Sequence, residues 1–277
     1  MGRIKVERNS YQFTLRASGA AGVTSFSDYV QKEAMAPAEL PMVHTTEYFR
    51  LASIQTSNTL QANTCMIFKE PLLYFFYGRP AYRDASQTTP TRDVGFYPIC
   101  FVFRPDTIGK KAKRLYPFDT GASQSGLYEP AIKRTQAIAD YPVPAVAESA
   151  RKIVRCFFDT DEQYLSNKPK PGLSFSPAED TVKSYYDLIN GGGDPNCDDR
   201  YSAVEIQIAA SLDIRLDIMA IVLPTCFLED ATLASTILKA WGAEPLTYDA
   251  DVGMRPIEFH GVIRQKIREF YRREGLL

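Results

Sequence analysis

The run PLLYFFYGRPAYR, Pro71 to Arg83, constrains the fold of this chain more than any other stretch. Five aromatic rings, two prolines, one glycine and two arginines share thirteen positions. So apolar a run predicts a buried strand, because side chains that are apolar on both faces need cover on both faces. Gly78 and Pro80 break any regular ladder after it. Arg79 and Arg83 then bring guanidinium groups into an aromatic cluster, where an unpaired buried charge is costly. Why those groups sit among rings is the question the rest of the sequence has to answer.

The 277 residues are enough to bury a full core without staples. Hydrophobic residues make up 45% and charged residues 23%, an ordinary globular balance. A net charge of -1 and a pI near 6.2 exclude a surface that is basic all over, though not a local basic groove. The longest apolar stretches, such as IMAIVLP, are far shorter than a membrane span. The start MGRIKVERNSYQF lacks a signal-peptide core and a Ser or Thr at position 6 for myristoylation. Five widely spaced cysteines without a C-x-x-C pair, and two histidines, point to reduced thiols and no metal site. A cytoplasmic protein without membrane partners is expected.

Read along the chain, YQFTLRA alternates as a first strand. PMVHTTEYFRLASIQTSNTL enters a helix capped by Thr45 or Thr46, with Phe49, Ile54 and Leu60 on its apolar face. LLYFFYG and FYPICFVFRP read as buried strands, and RLYPFDTGAS as a strand and turn after the basic patch GKKAKR. AVAESARKIVRCFFD carries Val146, Ala150, Ile153, Val154 and Phe157 on one helical stripe. In SPAEDTVKSYYDLING, Ser176, Pro177 and Glu179 form a helix start, and Asn190 with Gly191 ends it. SAVEIQIA and IRLDIMAIVLP are two further strand candidates. A helix around Leu228 to Trp241, a short strand PLTYDA and an amphipathic helix from Pro256 to Arg273 follow. Strands and helices mix without a βαβ rhythm, so the expected class is α+β. Dinucleotide, P-loop, serine-hydrolase and zinc-protease motifs are absent.

Five pieces in this order resemble DarT-like ADP-ribosyltransferases: VHTT, LLYFFYGRPAYR, PICFVF, RLYPFDTGAS and SAVEIQI followed by MAIVLP. They frame about Pro41 to Pro224. The resemblance implies one domain over 1-277, with a split mixed β-sheet core and flanking helices. It implies a helical insertion at about 123-199 and a C-terminal helical extension at about 225-277. It also implies NAD as co-substrate and an acceptor that is a DNA or RNA base, a protein or a small molecule. A toxin or antiphage role, with an antitoxin or inhibitor partner, follows by the same analogy. FDTG stands where the family's asparagine is expected, which leaves the acceptor open.

ADP-ribosyl transfer passes through an oxocarbenium-like state, so it needs a carboxylate near the ribose. Glu205 is the candidate, with Gln207 on the same strand face; the plainer reading is a polar face meeting water. Arg79 would bind the pyrophosphate through paired donors and act with Glu205 in catalysis. Tyr74, Tyr77 and Tyr82 would offer ring faces to NAD, and His44 with Thr45 would reach its ribose. Against these stand a purely structural set of rings with Arg79 exposed at the turn, and a His44 that is simply a satisfied polar group. A catalytically silent binding protein of the same fold, or a nucleic-acid module using RQKIREFYRR, are the competing functions. Lys110, Lys111, Lys113 and Arg114 would contact an acceptor's phosphates or form a solvated loop.

Overall fold

The computed structural model describes residues 22–34, 40–83, 85–193, 196 and 198–277; the expected strand YQFTLRA lies outside them. The described strands, in chain order, are β1 (Met42–Glu47), β2 (Thr59–Leu60), β3 (Asn63–Thr64), β4 (Pro71–Tyr77), β5 (Pro98–Phe103), β6 (Ala112–Tyr116), β7 (Glu205–Ile208), β8 (Leu212–Asp213), β9 (Ile218–Pro224) and β10 (Glu244–Tyr248). The α-helices are α1 (Phe26–Gln31), α2 (Leu51–Ser57), α3 (Pro105–Gly109), α4 (Thr120–Gln124), α5 (Ala147–Phe157), α6 (Asp161–Leu165), α7 (Asp180–Asp187), α8 (Ala231–Ser235) and α9 (His260–Arg273).

The central sheet runs β10-β9-β5-β1-β4-β7-β6, with β3 added against β4 and β2 paired with β8 apart from it. All neighbours in the central order are antiparallel except β9 and β10, which are parallel. Parallel neighbours need a crossover, and α8 supplies it. The class is therefore mixed α and β, with one βαβ unit at the end of the sheet. β1 pairs with β5 over six positions but with β4 only at Met42–Tyr77 and Val43–Phe76, so the two halves of the sheet meet along a short stretch. β10, where the short strand PLTYDA is expected, joins the sheet beside β9.

The sequence explains the order of burial. Every residue of β5, PICFVF, is buried, as a strand flanked by β1 and β9 with both faces covered requires. α9 contacts β5, β9 and β10 through its stripe of Ile263, Ile267, Phe270 and Tyr271. On the far side, α1, α5 and α7 gather Phe26, Phe157, Tyr185, Tyr141 and Phe118 into a ring cluster. Phe26 stacks on Phe157 at 5.9 Å, and Phe157 meets Tyr185 edge-on at 4.8 Å. Burying such a side chain is worth about 1.5–3 kcal/mol, which outweighs the modest helix preference of these aromatic residues. Val146, expected on the α5 stripe, instead precedes the helix and is exposed, because the helix begins one residue later.

Local signals were followed unevenly. Ser176 and Glu179 form the expected helix start: Ser176 N–H and hydroxyl donate to Glu179 Oε2 at 2.9 and 3.1 Å, and Glu179 N–H donates to the Ser176 carbonyl at 3.0 Å. Asn190 and Gly191 end that helical segment in non-helical backbone, Gly191 at φ 91°. Thr45 and Thr46 cap nothing, since β1 continues through Glu47 and α2 starts at Leu51. Phe49 is exposed, while Leu60 lies in β2 rather than on the helix.

Candidate active site

Strand register decides which of the nominated residues can meet, because partners directly opposite each other point to the same side of a sheet. Phe76 opposes Glu205, and Glu205 opposes Tyr116. One step along, Tyr74 opposes Gln207, which opposes Arg114. These two rows share one face of β4, β7 and β6. The intervening row, Phe75, Ile206 and Leu115, points the other way and is wholly apolar and buried.

Glu205 is only 1% exposed. Its Oε2 accepts from Thr120 N–H at 2.9 Å, and its Oε1 accepts from the Thr120 hydroxyl at 2.8 Å and Gln207 Nε2 at 2.7 Å. Thr120 opens α4, whose N-cap Asp119 accepts from Ala122 N–H at 2.7 Å. Asp119 is itself buried, and its backbone N–H donates to the Arg200 carbonyl at 3.2 Å. Burial first, and the charge of Asp119 second, push the Glu205 carboxyl up to about 8, against the opposing hydrogen bonds of Gln207 and Thr120. Burial also raises Asp119, although the Arg200 guanidinium and the backbone of α4 pull it down. Two carboxyl groups thus share an enclosed polar spot on the sheet.

Exposure increases away from Glu205. Gln207 is fully buried, while the Arg114 side chain is 27% exposed and its partner Glu70 is 23% exposed. Arg114 Nη1 donates to Gln207 Oε1 at 3.2 Å, and its guanidinium lies 4.6 Å above the Phe68 ring. Glu70 pairs with both Arg114 and Lys113. The hydroxyl of the half-buried Tyr74 donates to Cys65 Sγ at 2.7 Å.

The other nominated residues are placed differently. Arg79 is 2% exposed, neither at the surface nor open to a ligand. Its Nη1 donates to the Tyr164 carbonyl at 3.2 Å and to Asn167 Oδ1, and its Nη2 donates to the Asp199 carbonyl at 2.6 Å and the Ser202 hydroxyl. A phosphate would have to displace acceptors that the protein already provides, so the expected pyrophosphate contact is not open to Arg79 here. The Asp199 carboxylate beside it also binds Arg83 and Arg264. Burial acts to raise its carboxyl, but Arg79, Arg83 and Arg264 outweigh that and hold it below the usual carboxylate range.

His44 lies across the sheet from Glu205, its ring 5.5 Å from Phe75 and 6.4 Å from Phe101. Its Nδ1 is 2.9 Å from the Tyr74 carbonyl, which can only accept, so Nδ1 carries the hydrogen. Burial pushes this imidazole below its ordinary value, which keeps it neutral. His44 and Glu205 thus start from opposite faces of the sheet. Thr45 is on the Glu205 side but buried, its hydroxyl directed to Cys100 Sγ at 3.5 Å. Tyr77 is fully buried; its hydroxyl accepts from Leu40 N–H at 3.3 Å, and its carbonyl accepts from the Tyr164 hydroxyl at 2.9 Å. Tyr82 is half-buried beside the Arg83 guanidinium, which donates to its carbonyl at 3.1 Å. Of the nominated set, Glu205 and Tyr74 therefore remain with the polar rows.

Sequence reasoning missed Thr120 and Glu70 as members of this spot, while Asp119 stood only as the alternative carboxylate to Glu205. The FDTG turn did carry a signal, an aspartate at a helix start. Nothing local shows that it meets a strand 85 residues later. A surface cavity of about 720 Å³ lies elsewhere, among Arg104, Lys110, Lys111, Leu216 and Met219; of the nominated residues, Lys110 and Lys111 line it. Among the described residues no group of three or more His, Cys, Asp or Glu is placed to hold a metal, and no helix is long and apolar enough to cross a membrane. No protein-family model, curated protein or solved structure matches this chain.

Proposed function

We propose that the protein is an NAD-dependent ADP-ribosyltransferase whose carboxylate is Glu205. The observation that carries this reading is the meeting of Thr120 and Glu205. They belong to the fourth and fifth of the family-like segments, and both donors of Thr120 end on one buried carboxyl. The other three segments supply β1, β4 and β5 in the same sheet, with the aromatic β4 directly beside β7.

In the proposed reaction the bond from ribose C1′ to the nicotinamide nitrogen breaks, and its electron pair leaves with neutral nicotinamide. The acceptor's nucleophile forms the new bond to C1′ and loses a proton to Glu205. Ionised Glu205 also steadies the positive ribose, an electrostatic role of the kind that contributes most to such catalysis. A carboxyl pushed up to about 8 is charged in only about a tenth of molecules at pH 7. The cationic nicotinamide ring favours the charged form, so binding substrate would itself recruit the catalyst.

In this reading Arg79 anchors the end of β4 to the segment before β7 and does not bind substrate. The acceptor class stays a nucleic-acid base, a protein or a small molecule. A nucleic-acid module built on α9 is less well supported, because Arg264, Arg268, Arg272 and Arg273 pair with Asp199, Glu162 and Glu244. Incubating the protein with labelled NAD and pools of DNA, RNA and protein tests the proposal. Label should move to one pool as nicotinamide appears; no label transfer and no nicotinamide would remove it.

A further inference from the structure

We propose that Lys113 and Arg114 form an anion seat at the mouth of the Glu205 site, filled here by the chain's own Glu70, which a dinucleotide's pyrophosphate displaces. The identification of the ligand rests on the transferase reading; the seat itself does not.

Three observations converge on it. First, Lys113 and Arg114 close on a single carboxylate, so this cluster keeps one uncompensated positive charge. A second anionic oxygen group, or one of higher charge, suits it better than one carboxylate does. Second, Glu70 has only two oxygens for the seat, and both are committed, Oε2 to Lys113 and Oε1 to Arg114. A phosphate presents more acceptor oxygens in more directions, and a guanidinium fork matches them in pairs. Third, the seat is reachable and correctly spaced. Lys113 is 42% and Arg114 27% exposed. Arg114 stands opposite Gln207, two residues along β7 from Glu205. Two strand residues span roughly 6.6 Å, the order of the distance across one ribose from a phosphate to its anomeric carbon.

Phe68 completes the arrangement. Its ring lies 4.6 Å from the Arg114 guanidinium and 5.9 Å from Tyr116, which gives the guanidinium an aromatic base. Glu70 follows a tight turn in which Lys69 adopts φ 57° and its N–H donates to the Cys65 carbonyl at 2.9 Å. The occupant of the seat is thus tethered beside it and is displaced without leaving the site.

Calorimetric titration with inorganic pyrophosphate, ADP-ribose and nicotinamide, on wild type and three variants, tests the seat. Glu70→Gln removes the competing charge and should tighten pyrophosphate and ADP-ribose binding roughly tenfold. Arg114→Ala should weaken both roughly ten- to a hundredfold, and Lys113→Ala, at an exposed position, should weaken them less. Nicotinamide, which carries no phosphate, should bind all four proteins alike. Responses within threefold for both Glu70→Gln and Lys113→Ala, or no pyrophosphate binding by wild type, would overturn the proposal. If pyrophosphate follows the expected pattern but NAD is never cleaved, the seat stands and the transferase reading falls.

Discussion

Arg79 and Glu205 are buried to nearly the same degree, 2% and 1% exposed, yet their surroundings have opposite sense. The cation is ringed by acceptors from two later stretches of chain, Tyr164 with Asn167 and Asp199 with Ser202. The anion is given hydrogen bonds, but its charged neighbour is another acid, Asp119. A compensated buried charge holds a structure together, and losing one partner of it is expensive. A buried acid beside a second acid stores an unfavourable interaction, which folds keep mainly where chemistry uses it. Under the proposed function, this contrast gives the aromatic-arginine stretch an architectural role and the β7 glutamate the chemical one.

The comparison breaks first at Arg79. Arg79→Ala should cost about 3–5 kcal/mol of stability, the scale for removing one partner from a buried charge network. Arg79→Lys should recover only part, because a point charge cannot serve four acceptors in one plane. Urea unfolding of the three proteins checks this. Unfolding midpoints that coincide would show that the network contributes nothing.

Glu205 should behave in the reverse way. Its carboxyl is raised from 4.5 to about 8 on folding. The native state therefore holds a proton that the unfolded chain releases. The stability this provides is complete below about pH 4.5, falls as pH rises, and is lost above about 8. Glu205→Gln should flatten that decline and be the more stable protein at pH 9, by an amount on the order of a few kcal/mol. Parallel stability curves for the two proteins across pH 5 to 9 would contradict the buried-acid account.

A smaller effect sharpens the contrast. Asp119→Asn keeps a side-chain oxygen for the cap of α4 but removes the neighbouring charge. The midpoint at which Glu205 titrates, followed by the infrared carboxyl band, should drop, by about one pH unit. An unchanged midpoint would mean that burial alone sets it. Smallest of all, His44→Gln should change NAD affinity less than about threefold, since His44 starts from the sheet face opposite Glu205; a larger loss by calorimetry would place the ligand on the other face.

Much of the sheet was legible. PICFVF, LLYFFY and IMAIVLP are strands because β-branched and aromatic runs need cover on both faces, and that needs no long-range information. The helix start at Ser176 and Glu179 is equally local. What could not be read was which strands lie side by side, and therefore which face a residue joins. His44 and Thr45 are adjacent in sequence and fall on opposite sides of β1. The meaning of Arg79 depended on Asn167 and Ser202, acceptors 88 and 123 residues away. Glu205 and Gln207 could be paired on one face by a two-residue period, but the Thr120 donors and the Asp119 charge that surround the carboxyl come from a distant turn.

The most direct test of the contrast is nicotinamide release from NAD, measured from pH 6 to 9 with wild type, Glu205→Gln and Arg79→Lys. Wild type should follow the ionisation of Glu205, with kcat/KM rising toward a midpoint near 8. Glu205→Gln should be slower by roughly a hundred- to a thousandfold at every pH, while folded Arg79→Lys should keep the wild-type profile. Release by Glu205→Gln within about threefold of wild type, or loss of activity in a fully folded Arg79→Lys, would contradict the assignment of function to the acid and architecture to the arginine.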